Sequence, residues 1–193
     1  MFIKTSEKIA QILKETNTID EDNFEICRYG IQQGITIILN IVTTMLIGIF
    51  LDMFWQAIIF SILYIPLRSN AGGFHASTAL RCYIFSIISI IIVLLAIKYI
   101  VISKTICLII TVISLSIILY HAPIEDSNKK LDEIEHKVYK RRSINISLAE
   151  LLAFFVVLRL DFSDVYLCIM NVFICESIII LLGIYNNKKV FGN

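Results

Sequence analysis

Apolar and polar positions along this chain separate into long blocks rather than into the short periods of a soluble fold. Six apolar runs stand out, at Ile31–Leu51, Met53–Leu67, Cys82–Ile97, Thr105–Ala122, Ile144–Leu158 and Val165–Tyr185. Runs of this length read as helices that lie in lipid. The second is the exception in length. As a helix its 15 residues span about 22 Å, against a hydrocarbon core about 30 Å thick. It crosses only by borrowing flanking residues, by thinning the bilayer locally, or as one arm of a re-entrant segment. Irregular backbone at membrane depth is tolerated only where protein or water covers it.

Before the first run, Ile9, Ile12 and Leu13 recur at helical spacing beside Lys4, Lys8 and Lys14. That pattern predicts an amphipathic helix, lying on the membrane surface or packed on the chain's own cytoplasmic loop. The expected organisation is therefore a surface region over residues 1–30, a membrane domain over 31–185 and a polar tail over 186–193. The opening "MFIKTSEKIAQILKETN" carries charges throughout and has no continuous apolar core, so the first run is expected to act as an uncleaved anchor.

Composition sharpens this picture. The chain is 58% hydrophobic and 17% charged, with a mean hydropathy of +0.81, where soluble domains are about 45–50% apolar and 25% charged. An all-α integral membrane protein follows, a bundle of about six transmembrane helices. If the N-terminus lies inside, fourteen of the seventeen Lys and Arg residues fall in inner segments, and only Lys98, Lys104 and Arg159 fall outside. That asymmetry predicts both termini on the cytoplasmic side of a multi-pass cell-membrane protein. A net charge of +1, with no basic face free of the apolar runs, argues against a nucleic-acid partner. Five cysteines without CxxC spacing form neither a disulfide framework nor a zinc site, and no cofactor or metal is expected. Cys107, Cys168 and Cys175 sit inside apolar runs, where cysteine serves as a small hydrophobe.

One polar island interrupts the pattern, "RSNAGGFHASTALRC" at residues 68–82. His75 and Cys82 are seven residues apart, which in an unbroken helix separates them by about 10.5 Å along the axis. A histidine must come within about 3 Å of a thiol to take its proton. If the two work together, the backbone between them must bend, and Gly72–Gly73 supplies the means. Ser77 or Thr78 is placed to N-cap the helix that follows. Cys82 then sits in or near a first turn, where the helix dipole and the charges of Arg81 and Arg68 favour a thiolate. Amides around Gly72 and Gly73 are candidate oxyanion donors. Spacing alone leaves open that His75 and Cys82 are unrelated loop residues, that the island is a re-entrant pore segment of a small transporter or channel, or that the protein is a membrane-bound interaction partner with no chemistry.

The island resembles the signature of the accessory gene regulator protein B (AgrB) family through Arg68, Ala71, Gly73, His75, Ala76 and Cys82. The stretches "YGIQQG", "YHAPIEDSNKKL" and "ICESIIILLGIY" extend the likeness, in the same order, over essentially the whole chain. The resemblance implies a membrane-embedded cysteine endopeptidase of bacterial quorum sensing that acts on a small AgrD-like precursor peptide. Cys82 would be the nucleophile and His75 the general base. The new carboxyl end would be held on Cys82 as a thioester, then released by a nucleophile inside the precursor, closing a thiolactone or lactone ring. Glu176, a charge near the middle of the last apolar run, is a candidate for orienting His75 or holding a substrate amine, or else a neutral acid bonded to a neighbouring helix. The supporting set is therefore Arg68, Gly72, Gly73 and Glu176. Expected partners are the precursor peptide, the bilayer and a second copy in a homodimer.

Overall fold

The computed structural model describes residues 2–16, 18–74, 78–125 and 132–191. Among them are α1 (Phe2–Glu15), a short 3-10 turn (Glu21–Asn23), α2 (Phe24–Phe50), α3 (Phe54–Ala71), α4 (Ala79–Tyr99), α5 (Lys104–His121), α6 (Glu133–Arg159) and α7 (Ser163–Phe191). No strand occurs among the described residues; a single isolated bridge joins Gly72 to Ile124. The protein is the expected all-α membrane bundle, and each apolar run lies largely within one of α2 to α7.

The runs are not equal, however. Helices over Phe24–Phe50, Leu80–Tyr99, Lys104–His121 and Ser163–Asn187 are long and apolar enough to cross a membrane by themselves. Neither α3 nor α6 is. The reason lies in their sequences: α3 carries Gln56, Ser61, Arg68, Ser69 and Asn70, and α6 opens on a charged stretch from Glu133 to Arg142, nearly three turns. Both pack against α7, so protein rather than lipid covers much of their surface.

All six helices run between the same two ends of the bundle. At one end Lys98 Nζ donates to Leu51 O (2.6 Å), Gln56 Nε2 to Asp164 Oδ2 (2.7 Å), and Lys104 pairs with Asp161 at 2.7 Å. These contacts gather the α2–α3, α4–α5 and α6–α7 connections. The other end collects the last turn of α3, the start of α4, the segment after α5 and the last turns of α7. Arg68, Arg81, Lys137, Lys140, Arg141 and Arg142 belong to this second end, and Lys98, Lys104 and Arg159 to the first. The asymmetry of basic residues along the sequence is thus an asymmetry between two faces of one bundle.

At the centre stands α7, with Cys168, Ile169, Val172, Phe173, Glu176 and Ile180 almost fully buried. The peripheral helices show the reverse of a soluble surface. On α2, Ile38, Val42, Leu46 and Ile49 are exposed, as lipid-facing positions should be. Helix α1 lies along α2 through buried Ser6 and Ala10, leaving Ile9 and Ile12 uncovered. Its support is thus α2 rather than a loop. Lys14 bonds Glu21 across the connecting turn, and the hydrogen bond and charge of Lys14 hold the Glu21 carboxyl below its ordinary value.

Because lipid is as apolar as Phe, truncating a core residue here loses packing rather than transfer energy. At roughly 24 cal/mol per Å3 of cavity, a void on the order of 100 Å3 costs about 2 kcal/mol. Phe173→Ala is therefore expected to lower the thermal midpoint of the detergent-solubilised protein by several degrees while leaving its helix content unchanged; circular dichroism measures both.

Candidate active site

Helix α3 ends at Ala71 because Gly72 takes φ +71 and Gly73 φ +110, angles that L side chains rarely adopt. The chain leaves the helix and crosses the end of the bundle in a turn whose amides are all used. Gly72 N–H donates to Arg68 O (3.3 Å), Gly73 N–H to Ile124 O (3.2 Å) and Phe74 N–H to Ile179 O (3.0 Å). In return Ile124 N–H donates to Ala71 O at 3.0 Å. The Arg68 guanidinium reaches over the turn and donates to the carbonyls of Gly72 and, at 2.8 Å, Phe74. Arg68 thus closes the turn from its own helix, so the charge assigned above to thiolate stabilisation also has a local structural use.

This accounting corrects one expectation. The Gly72 and Gly73 amides already donate to protein carbonyls, so they offer no free N–H to an oxyanion. The glycines serve close approach instead. A Cβ on Gly73 would lie 2.9 Å from the Ile179 side chain and 3.1 Å from its carbonyl oxygen. From the opposite side, a Cβ on Gly183 would lie 2.8 Å from Phe74 N and 3.0 Å from the Gly73 carbonyl carbon. The turn and the last part of α7 touch backbone to backbone, and both surfaces need glycine.

The helix carrying Cys82 begins as its sequence suggests. Thr78 is the N-cap, its hydroxyl accepting from Arg81 N–H at 3.3 Å, and Cys82 N–H donates to Thr78 O at 3.0 Å. Cys82 therefore closes the first turn of α4, near the positive end of the helix dipole. It is free and half-buried. His75 lies outside the described residues, as do Ala76 and Ser77. Its neighbour Phe74 is described, and its ring packs edge-on against Phe85, centroids 6.5 Å apart, one turn beyond Cys82.

Cys82 borders a cavity of about 420 Å3 walled mainly by α2, α3 and α4, with Cys175 and Ile179 of α7, and bounded at one end by Gly72, Phe74 and Ile124. Arg68 and Tyr64 line it from α3, Ser86 and Ser89 from α4. The Thr43 hydroxyl lies 2.6 Å from the Tyr83 hydroxyl, tying α2 to α4 beside Cys82. Two cysteines border this space, Cys82 and Cys175, whereas Cys107 and Cys168 are buried as small apolar groups. Glu176 does not border it. It is fully buried behind the wall, both carboxylate oxygens without a hydrogen-bond partner among the described residues. On the buried face of α6, Glu150 Oε2 and the hydroxyls of Ser143 and Ser147 also lack a partner among the described residues. Among the described residues, no three His, Cys, Asp or Glu side chains are grouped to hold a metal.

Sequence reasoning missed two parts of this arrangement. Gly183 could have been marked as a glycine inside an apolar run. Ile124 lies within the "YHAPIEDSNKKL" stretch, but its role carried no side-chain signal, because its contribution is made by backbone. Gly183→Ala is expected to push α7 away from the Gly73–Phe74 backbone and to lower any reaction that depends on the island by about 10–100-fold, with the amount of membrane-inserted protein unchanged. Turnover per mole of purified protein, beside an immunoblot of the membrane fraction, measures this.

Comparison with known proteins gives the chain a family. The family model of accessory gene regulator B matches residues 6–180. An accessory gene regulator protein B of Staphylococcus lugdunensis is 27% identical over 188 residues, covering 96% of each chain. One from Staphylococcus aureus (strain bovine RF122 / ET3-1) is 30% identical over 188 residues, covering 97% of this chain and 98% of its own. No solved structure matches. With its family model spanning the turn, α4 and most of α7, the chain belongs to the accessory gene regulator B family.

Proposed function

We propose that this protein is a membrane cysteine endopeptidase that cleaves a small AgrD-like precursor and passes the acyl group on to close a ring. The observation that carries the reading is the placement of Cys82 on the first turn of α4, bordering a cavity of about 420 Å3 beside a turn that ends one residue short of His75. Phe74 is anchored to α7 and packed against α4.

In the first step His75 takes the Cys82 proton and the thiolate adds to the scissile carbonyl. The tetrahedral intermediate collapses, the C–N bond breaks, and His75 returns the proton to the departing amine. The acyl group remains on Cys82 as a thioester. A thiol within the retained peptide then gives its proton to His75 and attacks that thioester. The Cys82 C–S bond breaks, the ring closes through a new thioester, and Cys82 recovers its proton. The second step exchanges one thioester for another, so it succeeds only if water is excluded, which the half-buried position of Cys82 favours. The basic residues gathered at this end of the bundle support a cytoplasm-facing site.

Co-expression with a precursor peptide, read by mass spectrometry, tests the reading. Wild type is expected to release the cyclic product, with peptide trapped on Cys82. Cys82→Ala and His75→Ala are each expected to lose at least about 10³-fold in rate; equal cleavage in all three overturns the proposal. Deleting residues 1–16 is expected to lower processing several-fold while Cys82 still reacts with iodoacetamide, because α1 is an accessory surface laid on α2. Labelling is read in a Cys175→Ala background, so that a single thiol faces the cavity.

A further inference from the structure

Helix α2 is apolar enough to span a bilayer, yet it turns a polar stripe toward the cavity that holds Cys82. Gln33, Thr36, Asn40 and Thr44 follow at steps of three and four residues, and all four line that space. The Thr36 hydroxyl donates back to Gln32 O at 2.9 Å. The amides of Gln33 and Asn40 and the hydroxyl of Thr44 have no partner among the described residues. Polar side chains inside an apolar span lower its affinity for lipid and are kept where they meet a cavity or a ligand. Across the gap, the Ser86 and Ser89 hydroxyls donate to Cys82 O and Phe85 O within α4, which leaves their oxygens free to accept.

We infer that this stripe is the rail that binds the main chain of the peptide segment joined to Cys82, with Gln33 and Asn40 as its principal positioning residues. The inference rests on the peptidase reading above and adds to it where the acyl group lies. The spacing fits that occupant. Seven residues of helix separate the two amides, about 10.5 Å, which is the length of about three residues of extended chain at 3.3 Å each. A carboxamide both donates and accepts, as a peptide group does, so each amide can satisfy the N–H and C=O of one main-chain unit. The occupant must bring its own hydrogen-bonding groups into a lipid-surrounded slot, and a peptide main chain does so whatever its side chains. The Thr43–Tyr83 contact holds this wall in register with the nucleophile. A segment bound along the stripe would also fill the slot and keep water from the thioester, linking binding to the choice between ring closure and hydrolysis.

The test is steady-state processing of a synthetic precursor by the purified full-length protein in lipid nanodiscs, with Asn40→Leu and Gln33→Met beside wild type. Each variant is expected to raise KM about five- to tenfold, equivalent to about one hydrogen bond to the main chain. The ratio of linear to cyclic product is expected to rise as well. Iodoacetamide labelling of Cys82 should not change, and the thermal midpoint should stay level or rise, since an apolar side chain suits a spanning helix better. Unchanged KM and product ratio overturn the inference and leave the stripe as a lining for water. A lowered midpoint with unchanged KM overturns it in favour of a structural role. Cleavage by Cys82→Ala in the same assay would instead overturn the peptidase reading itself.

Discussion

In a chain surrounded by lipid, non-helical backbone has no water to satisfy its amides and carbonyls, and each unpaired group costs several kcal/mol. The turn at Gly72–Phe74 meets that requirement entirely from protein. Its three amides donate to α3, to the segment after α5 and to α7, and Arg68 caps two of its carbonyls. No single helix pair supplies those partners. The turn is held only when α3, α5 and α7 have assembled, so the bundle and its irregular segment depend on one another.

The need for close approach spreads from this point. An α7 residue with a side chain in place of Gly183 would strike the turn, and a side chain at Gly73 would strike α7. This explains why α7, the most buried helix, remains regular past Glu176 and reaches the far end of the bundle instead of ending early. It also explains why α3, short and sparsely apolar for a span, is stable where it is: α7 covers one side and the cavity takes the other. Cys82 inherits its position from the same construction, because the turn delivers the chain to Thr78 and the cap there starts α4.

Two sets of polar groups lie inside this apolar body, and they differ in kind. The stripe on α2 borders open space and is available to a ligand. The group formed by Glu176, Glu150, Ser143 and Ser147 is closed off between α6 and α7. Charge along the sequence marked Glu176 but did not distinguish a wall residue from one behind the wall, since the two positions differ by helix rotation alone. Cys175 and Glu176 are adjacent in sequence, yet only the first borders the cavity.

The all-helical fold, the helix order, the sorting of basic residues and the Cys82 locus were legible in the chain, because each depends on local pattern: the length of an apolar run, the sign of a loop, a glycine pair followed by a capping threonine. Which amides were free was not legible, because hydrogen bonding across the bundle joins residues up to about a hundred positions apart, as Phe74 to Ile179 shows. The oxyanion role first suggested for Gly72 and Gly73 failed for that reason. Nor could the pattern separate α3 and α6 from the four self-sufficient spans, since protein covers what lipid would otherwise have to dissolve. Local chemistry determines what lipid accepts and where a helix starts; only packing determines which polar groups meet protein and which are left facing a cavity.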